Sequence, residues 1–156
     1  MKYIFWILFL CMVSHIRLKA QEGQDHSKWI FGPSLGYQYQ KTSFVKASFW
    51  GLTDLGYANY LRVDGGANMT WKGGKTHVVP ELGVTYYLSA KGVWPFVKME
   101  TTPYTITPKV GVGVFNIFEV GAGYGLGLEN KKGLGMPIKG FNISVGLSLP
   151  LNYHLY

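Results

Sequence analysis

Four histidines, one cysteine, a run of alternating glycines and eight charges set into apolar stretches are the residues here whose types could do chemistry. His77 and Glu81 stand four residues apart, a spacing that pairs an acid with a base on a helix. On an extended strand the same spacing holds them about 13 Å apart, far beyond the ~3 Å contact of a working general base. His15 and Cys11 lie in the N-terminal region, His26 in a polar segment behind it, and His154 close to the C-terminus. No serine stands on a recognisable nucleophile elbow, so no acid, base and nucleophile converge. The run Gly121-Ala-Gly-Tyr-Gly-Leu-Gly127 has the look of a dinucleotide fingerprint, but that motif needs a helix N-terminus behind it and none follows. Catalytic residues, cofactors and metal sites are therefore not expected. The charges that remain are Lys46, Arg62, Asp64, Glu81, Lys98, Glu100, Lys109 and Glu119, four of each sign.

What those charges do depends on the elements that carry them. From Phe141 to Leu149, large apolar residues (Phe141, Ile143, Val145, Leu147, Leu149) alternate with small or polar ones (Asn142, Ser144, Gly146, Ser148). A period of two is the strand period, because successive side chains point to opposite faces. Helical periodicity is absent after residue 20, and evenly spaced turn signals predict strands over 29–40, 43–52, 57–72, 76–88, 93–101, 104–115, 117–129 and 138–151.

The N-terminus reads differently. Lys2, the apolar run Tyr3 to Val13 and the small residue Ala20 before Gln21 predict a secretory signal peptide over 1–20. Its apolar run is well short of the ~20 residues of a spanning helix. Cys11 follows Leu10 and precedes more apolar sequence, unlike a lipid-acceptor cysteine. A flexible segment is expected over 21–28, and a single domain over 29–156. Without Lys2, Arg17 and Lys19, the 15 basic residues fall to 12 against 8 acidic ones, and no cysteine remains for disulfides or thiolate sites. The lysines are scattered and form no basic helix, which argues against nucleic acid as a partner. With 21 glycines in 156 residues and 16% aromatics, the composition is that of a turn-rich β protein.

Sorted by parity, one face of the predicted strands is uncharged and includes Leu35, Phe49, Val63, Val84, Val97, Val110, Val112, Val120, Val145 and Leu147. The other holds all eight charges, Gln38, Gln40, Asn68 and Asn142, and glycines at 111, 113, 121, 123, 125 and 127. A polar face that is sparse in charge and balanced in sign suits a closed interior, where each ion must find a partner. Interior ion pairs among the eight charges are thus expected, with room above the glycines for bulky residues such as Tyr60 and Tyr87. Eight is the smallest even number of strands that closes a membrane barrel, and its lumen is filled by side chains. The expected fold class is all-β, a closed antiparallel up-and-down eight-stranded transmembrane β-barrel. Turns near Thr53–Gly56, Ser89–Gly92 and Asn116–Ile117 would face the periplasm, and those near Lys41–Thr42, Gly73–Lys75, Thr102–Pro103 and Asn130–Pro137 the outside. Aromatic girdles are expected from Phe31, Phe49, Tyr86 and Phe118 at one rim and Tyr39, Trp71, Tyr104 and Phe141 at the other.

The strands PKVGVGVFNIFEVGAGYGLGLE at 108–129 and KGFNISVGLSLPLNY at 139–153 resemble the small outer-membrane β-barrel proteins of Gram-negative bacteria, and the leader ending in Ala-Gln-Glu resembles those of Bacteroidota. The resemblance covers the whole chain behind the leader and lies in pattern more than in identities. It implies a location in the cell outer membrane and insertion by the barrel-assembly machinery, which reads a C-terminal strand ending in an aromatic such as Tyr156. The function expected is non-enzymatic, structural or accessory in the envelope. Outer-membrane lipid is the expected partner, with Lys72, Lys75, Lys131 and Lys132 placed to meet lipopolysaccharide phosphates as point charges. The alternatives are an outer-membrane lipid-modifying enzyme, with a histidine in reach of Ser or Glu, and a soluble periplasmic barrel that binds an apolar ligand inside.

Overall fold

The computed structural model describes residues 29–57, 59–88, 92–115, 117–128 and 139–152. The predicted signal peptide at 1–20 and the segment at 21–28 lie outside them. Eight antiparallel strands follow one another around a closed up-and-down barrel: β1 (Ile30–Tyr39), β2 (Ser43–Gly56), β3 (Asn59–Lys72), β4 (Lys75–Leu88), β5 (Val93–Thr101), β6 (Thr105–Val114), β7 (Phe118–Gly127) and β8 (Gly140–Ser148). The all-β antiparallel architecture expected from the period of two is present, with β8 pairing back onto β1 through Ser34↔Ser148 to Tyr39↔Ile143.

Size and slant follow from the registers. Stepping from partner to partner, Ile30, Leu52, Arg62, Thr85, Lys98, Lys109, Gly123 and Asn142 lie side by side, and the β8–β1 register then returns to Gln40, ten residues beyond the start. At standard strand spacing, eight strands with that stagger tilt by about 40° and close on a backbone cylinder about 16 Å across. Inward side chains from opposite walls therefore meet.

Two local differences from the sequence reading have physical causes. The turn expected at Thr53–Gly56 is strand: β2 runs on to Gly56, with a register shift between Asp54 and Gly56. The Asp54 carboxylate accepts a 2.7 Å hydrogen bond from the Gly56 amide, so a side chain supports the irregularity that composition alone reads as a loop. Tyr104, expected in an outer girdle, instead packs inward against Phe44 and Val79 from the turn between β5 and β6. The other seven expected girdle residues are exposed on the perimeter, Tyr86 least and Phe141 most.

The outward face is apolar on every strand. No outward position of a described strand carries a charge, and Val110, for instance, is 61% exposed. On β4 the outward apolar residues run from Val78 to Leu88, about 25 Å along the axis at this tilt.

Candidate functional site

The lumen is where this chain concentrates its polar chemistry. Parity brings one or two charges inward from each of six strands: Lys46 from β2, Arg62 and Asp64 from β3, Glu81 from β4, Lys98 and Glu100 from β5, Lys109 from β6 and Glu119 from β7. The barrel gathers all eight expected charges into one connected network. Lys46 lies 2.5 Å from Glu81 and 2.6 Å from Glu100. Glu100 also meets Lys98 at 3.2 Å and Lys109 at 2.5 Å. Lys98 reaches Asp64 at 2.7 Å, Asp64 lies 3.8 Å from Arg62, and Arg62 holds Glu119 at 2.6 Å. Four cations and four anions thus neutralise one another, the arrangement a closed interior requires.

Neutral partners complete the coordination. Tyr87 donates its hydroxyl to Glu119, Arg62 reaches the Ser148 hydroxyl at 2.9 Å, and Asn68 donates to Glu81. Lys109 donates to Gln38 at 2.8 Å. Arg62 also sits 4.9 Å over the Trp50 ring, whose indole nitrogen donates to the Pro33 carbonyl at 3.1 Å. The planar guanidinium is suited to this mixture of carboxylate, hydroxyl and ring contacts.

Above and below the charges the lumen is plugged. Towards the end holding Ile30, a cluster of Trp50, Leu52, Tyr87 and Phe96 packs with Ile30, Tyr60 and Trp94. Tyr60 stacks on Trp94 at 4.6 Å, and Tyr87 meets Phe96 edge-on at 5.7 Å. Towards the other end, Phe44 and Val79 pack under Tyr104 near Gln38, whose amide donates to Gln40, which also accepts from Asn142. The inward glycines do leave room, though mainly for other guests than Tyr60 and Tyr87. The Phe96 ring lies over Gly111 and Gly121, Lys109 over Gly123, and the Gln40 amide over Gly125, while Tyr87 comes only to 3.7 Å from the place of a Cβ at Gly113. Tyr60 and Tyr87 are in the plug as expected, but its other members escaped the sequence reading. The signal was there: Phe44, Trp50 and Leu52 share the parity of Lys46, and Phe96 that of Lys98.

The space left is small. A cavity of about 40 Å³ lies among Ser34, Lys46, Ser48, Arg62, Lys98, Glu100, Lys109, Glu119, Ser144 and Ser148. That is room for roughly two or three water molecules.

Outside the lumen, Lys72 ends β3 and Lys75 begins β4, paired across the Gly73–Gly74 turn. Lys75 is exposed, and Lys131 and Lys132 lie outside the described residues. His77 is half-buried opposite Thr70, and no hydrogen bond joins it to a serine or an acid among the described residues. Glu81, four residues on and expected to be out of its reach, is engaged by Lys46 and Asn68. No group of three or more metal-ligating side chains occurs among the described residues.

Comparison with protein-family models, with curated proteins and with solved structures gave no match for this chain.

Proposed function

We propose that this chain is a non-enzymatic integral β-barrel of the Gram-negative outer membrane, of a Bacteroidota type, with a structural or accessory role in the envelope. One observation carries the reading: the barrel is inverted relative to a water-soluble protein. Its perimeter is an uncharged apolar band about 25 Å tall, the height of the apolar band of an outer-membrane barrel, and the eight charges that the strands carry at that level point inside. A barrel meant for water would expose the ions and bury the valines, because burying apolar area is the main driving force of folding. A soluble barrel holding an apolar ligand would likewise turn Val110, Val112, Val145 and Leu147 inward, where the lumen has instead Arg62 and Glu119.

A filled lumen with paired charges is a structural core, so solute passage is not part of the proposal. Lipid is the partner of the perimeter, and the barrel-assembly machinery the agent of insertion. At the lysine-bearing rim, Lys72, Lys75, Lys131 and Lys132 are assigned to lipopolysaccharide phosphates.

Membrane fractionation with carbonate washing, combined with migration of unboiled samples on detergent gels, tests the reading. Retention in the washed membrane and faster migration without boiling are the expected results. Release into the soluble fraction would overturn it, and single-channel conductance steps in a planar bilayer would overturn the closed lumen. Changing the four lysines to Gln should lower thermal stability in lipopolysaccharide-containing membranes, and unchanged stability would remove that contact from the proposal.

A further inference from the structure

We infer that the lumen cavity is a binding site for one small monovalent anion, chloride among the common ions, held as a structural ion by lysine ammonium groups. The inference concerns only the closed interior and is independent of what the perimeter touches.

The inventory of hydrogen-bond donors carries it. The cavity of about 40 Å³ is lined by all four cations of the network but by only two of its anions, Glu100 and Glu119. An ammonium group carries three N–H donors. Lys46 directs two at Glu81 and Glu100, Lys98 two at Asp64 and Glu100, and Lys109 two at Glu100 and Gln38. Each therefore keeps a third donor with no partner among the described residues. Arg62 uses Nη1 for Glu119 and Ser148, while its Nη2 reaches only Ser34, at 3.4 Å. Ser144, half-buried on the cavity wall, makes no side-chain hydrogen bond among the described residues and is free to donate.

Acceptors are scarce by comparison. Glu100 already receives three lysines, and Glu119 Oε1 receives Arg62 and Tyr87. Enclosed donors left unmade cost free energy, so the occupant must above all accept. A water molecule brings donors of its own, whereas a halide only accepts.

Electrostatics point the same way. Chloride adds a negative charge to a lumen whose eight ions cancel, but position decides the outcome. Asp64 and Glu81 do not line the cavity, so four cations and two anions face it, an excess of two positive charges. Coulomb energy falls with distance, and the nearest charges dominate.

Size narrows the class further. Room for roughly two or three water molecules admits a monatomic ion with a water beside it, and not a tetrahedral oxyanion. Gly36, Gly121 and Gly146 keep the wall open, and a Cβ at Gly146 would meet nothing nearer than 3.9 Å. The aromatic cluster at one mouth and Phe44, Val79 and Tyr104 at the other close both ends, so the ion enters as the barrel folds and does not pass through.

The test uses the full chain folded in detergent micelles at constant ionic strength, with sodium chloride exchanged for sodium gluconate, whose anion is too large for the cavity. An ion that binds only the folded state stabilises it by mass action, so the melting temperature should rise with each tenfold addition of chloride, and bromide should act like chloride. Gly146→Val fills the cavity and leaves every charge in place; it should migrate as a folded barrel and melt at the same temperature in both salts. Crystals grown in sodium bromide supply a direct measurement that needs no variant: an anomalous bromine peak is expected beside Lys46, Lys98 and Lys109. Equal melting of the unaltered chain in chloride and gluconate would overturn the site. Bromine peaks confined to the protein surface, or a chloride dependence that a folded Gly146→Val barrel retains, would do the same, since either places the ion elsewhere.

Discussion

Glu100→Gln is the most informative single change in the lumen. Glu100 is 3% exposed and receives Lys46 at 2.6 Å, Lys98 at 3.2 Å and Lys109 at 2.5 Å. The amide keeps the shape, removes one negative charge and turns a donor towards ammonium groups. Two of the lysines retain a second carboxylate, Lys46 at Glu81 (2.5 Å) and Lys98 at Asp64 (2.7 Å). Lys109 is left with only the Gln38 carbonyl at 2.8 Å, so one ammonium is stranded in a closed lumen. Breaking a buried pair in this way costs about 3–5 kcal/mol. With a urea slope of about 2 kcal/mol per molar, the unfolding midpoint should fall by roughly 2 M. Adding Lys109→Met removes the stranded charge and should restore much of the loss, while Lys109→Met alone should cost less than Glu100→Gln, since Lys46 and Lys98 still neutralise Glu100. The assay is urea unfolding of the four members of this double-mutant cycle in detergent micelles, followed by tryptophan fluorescence and gel migration. A midpoint for Glu100→Gln no lower than that of the surface variant Lys75→Gln, or losses that simply add, would refute the idea of a mutually neutralising core.

Three further outcomes are expected. Val112→Arg places a charge in the apolar band and should destabilise the barrel in phosphatidylcholine vesicles by about 2–4 kcal/mol, measured by urea unfolding; a neutral effect would mean that lipid does not touch this face. Gly121→Leu drives a side chain into the Phe96 ring, which stands 3.1 Å from the place of a Cβ and is its nearest neighbour, and should cost about 1–3 kcal/mol. Phe96→Leu in the same chain should recover part of that loss in a thermal gel-shift series, which distinguishes overpacking from backbone damage. Asn152→Ala removes the amide that accepts from the Phe31 N–H at 2.8 Å and donates to the Trp29 carbonyl at 2.7 Å, a side-chain continuation of the β1–β8 ladder. Exposed bonds of this kind contribute about 0.5–1.5 kcal/mol, so stability should fall slightly while hydrogen exchange at the Phe31 amide speeds up.

The seam shows how legible parts of this fold were and why others were not. Asn152 falls on the polar parity of the last strand, one residue past the predicted end at 151, and nothing local in the sequence marks a role for it. In space it takes the place of a backbone peptide, a role that depends on β1, 121 residues away in the chain. Tyr104 has the composition of a girdle residue, yet the tight turn at 102–104 points it over the mouth, because side-chain direction in a turn follows backbone geometry and not strand parity. The strand end at Gly56 was masked by turn-like residues that here support a bulge.

What the amino-acid order determined by itself is everything that depends on alternation. A period of two specifies strands, and the assortment of residues onto the two faces decides which face takes the charges, since unpaired ions cannot be buried and an uncharged face tolerates lipid. Tertiary structure alone decided the partners. Arg62 meets Glu119 and Lys98 meets Asp64 across 57 and 34 residues of chain, and those meetings exist only once the stagger of ten residues and the closing of β8 on β1 set which inward positions share a level. The same closure decided that the lumen is full, because whether aromatic rings and ion pairs leave a bore is a matter of cylinder diameter, which no local pattern encodes.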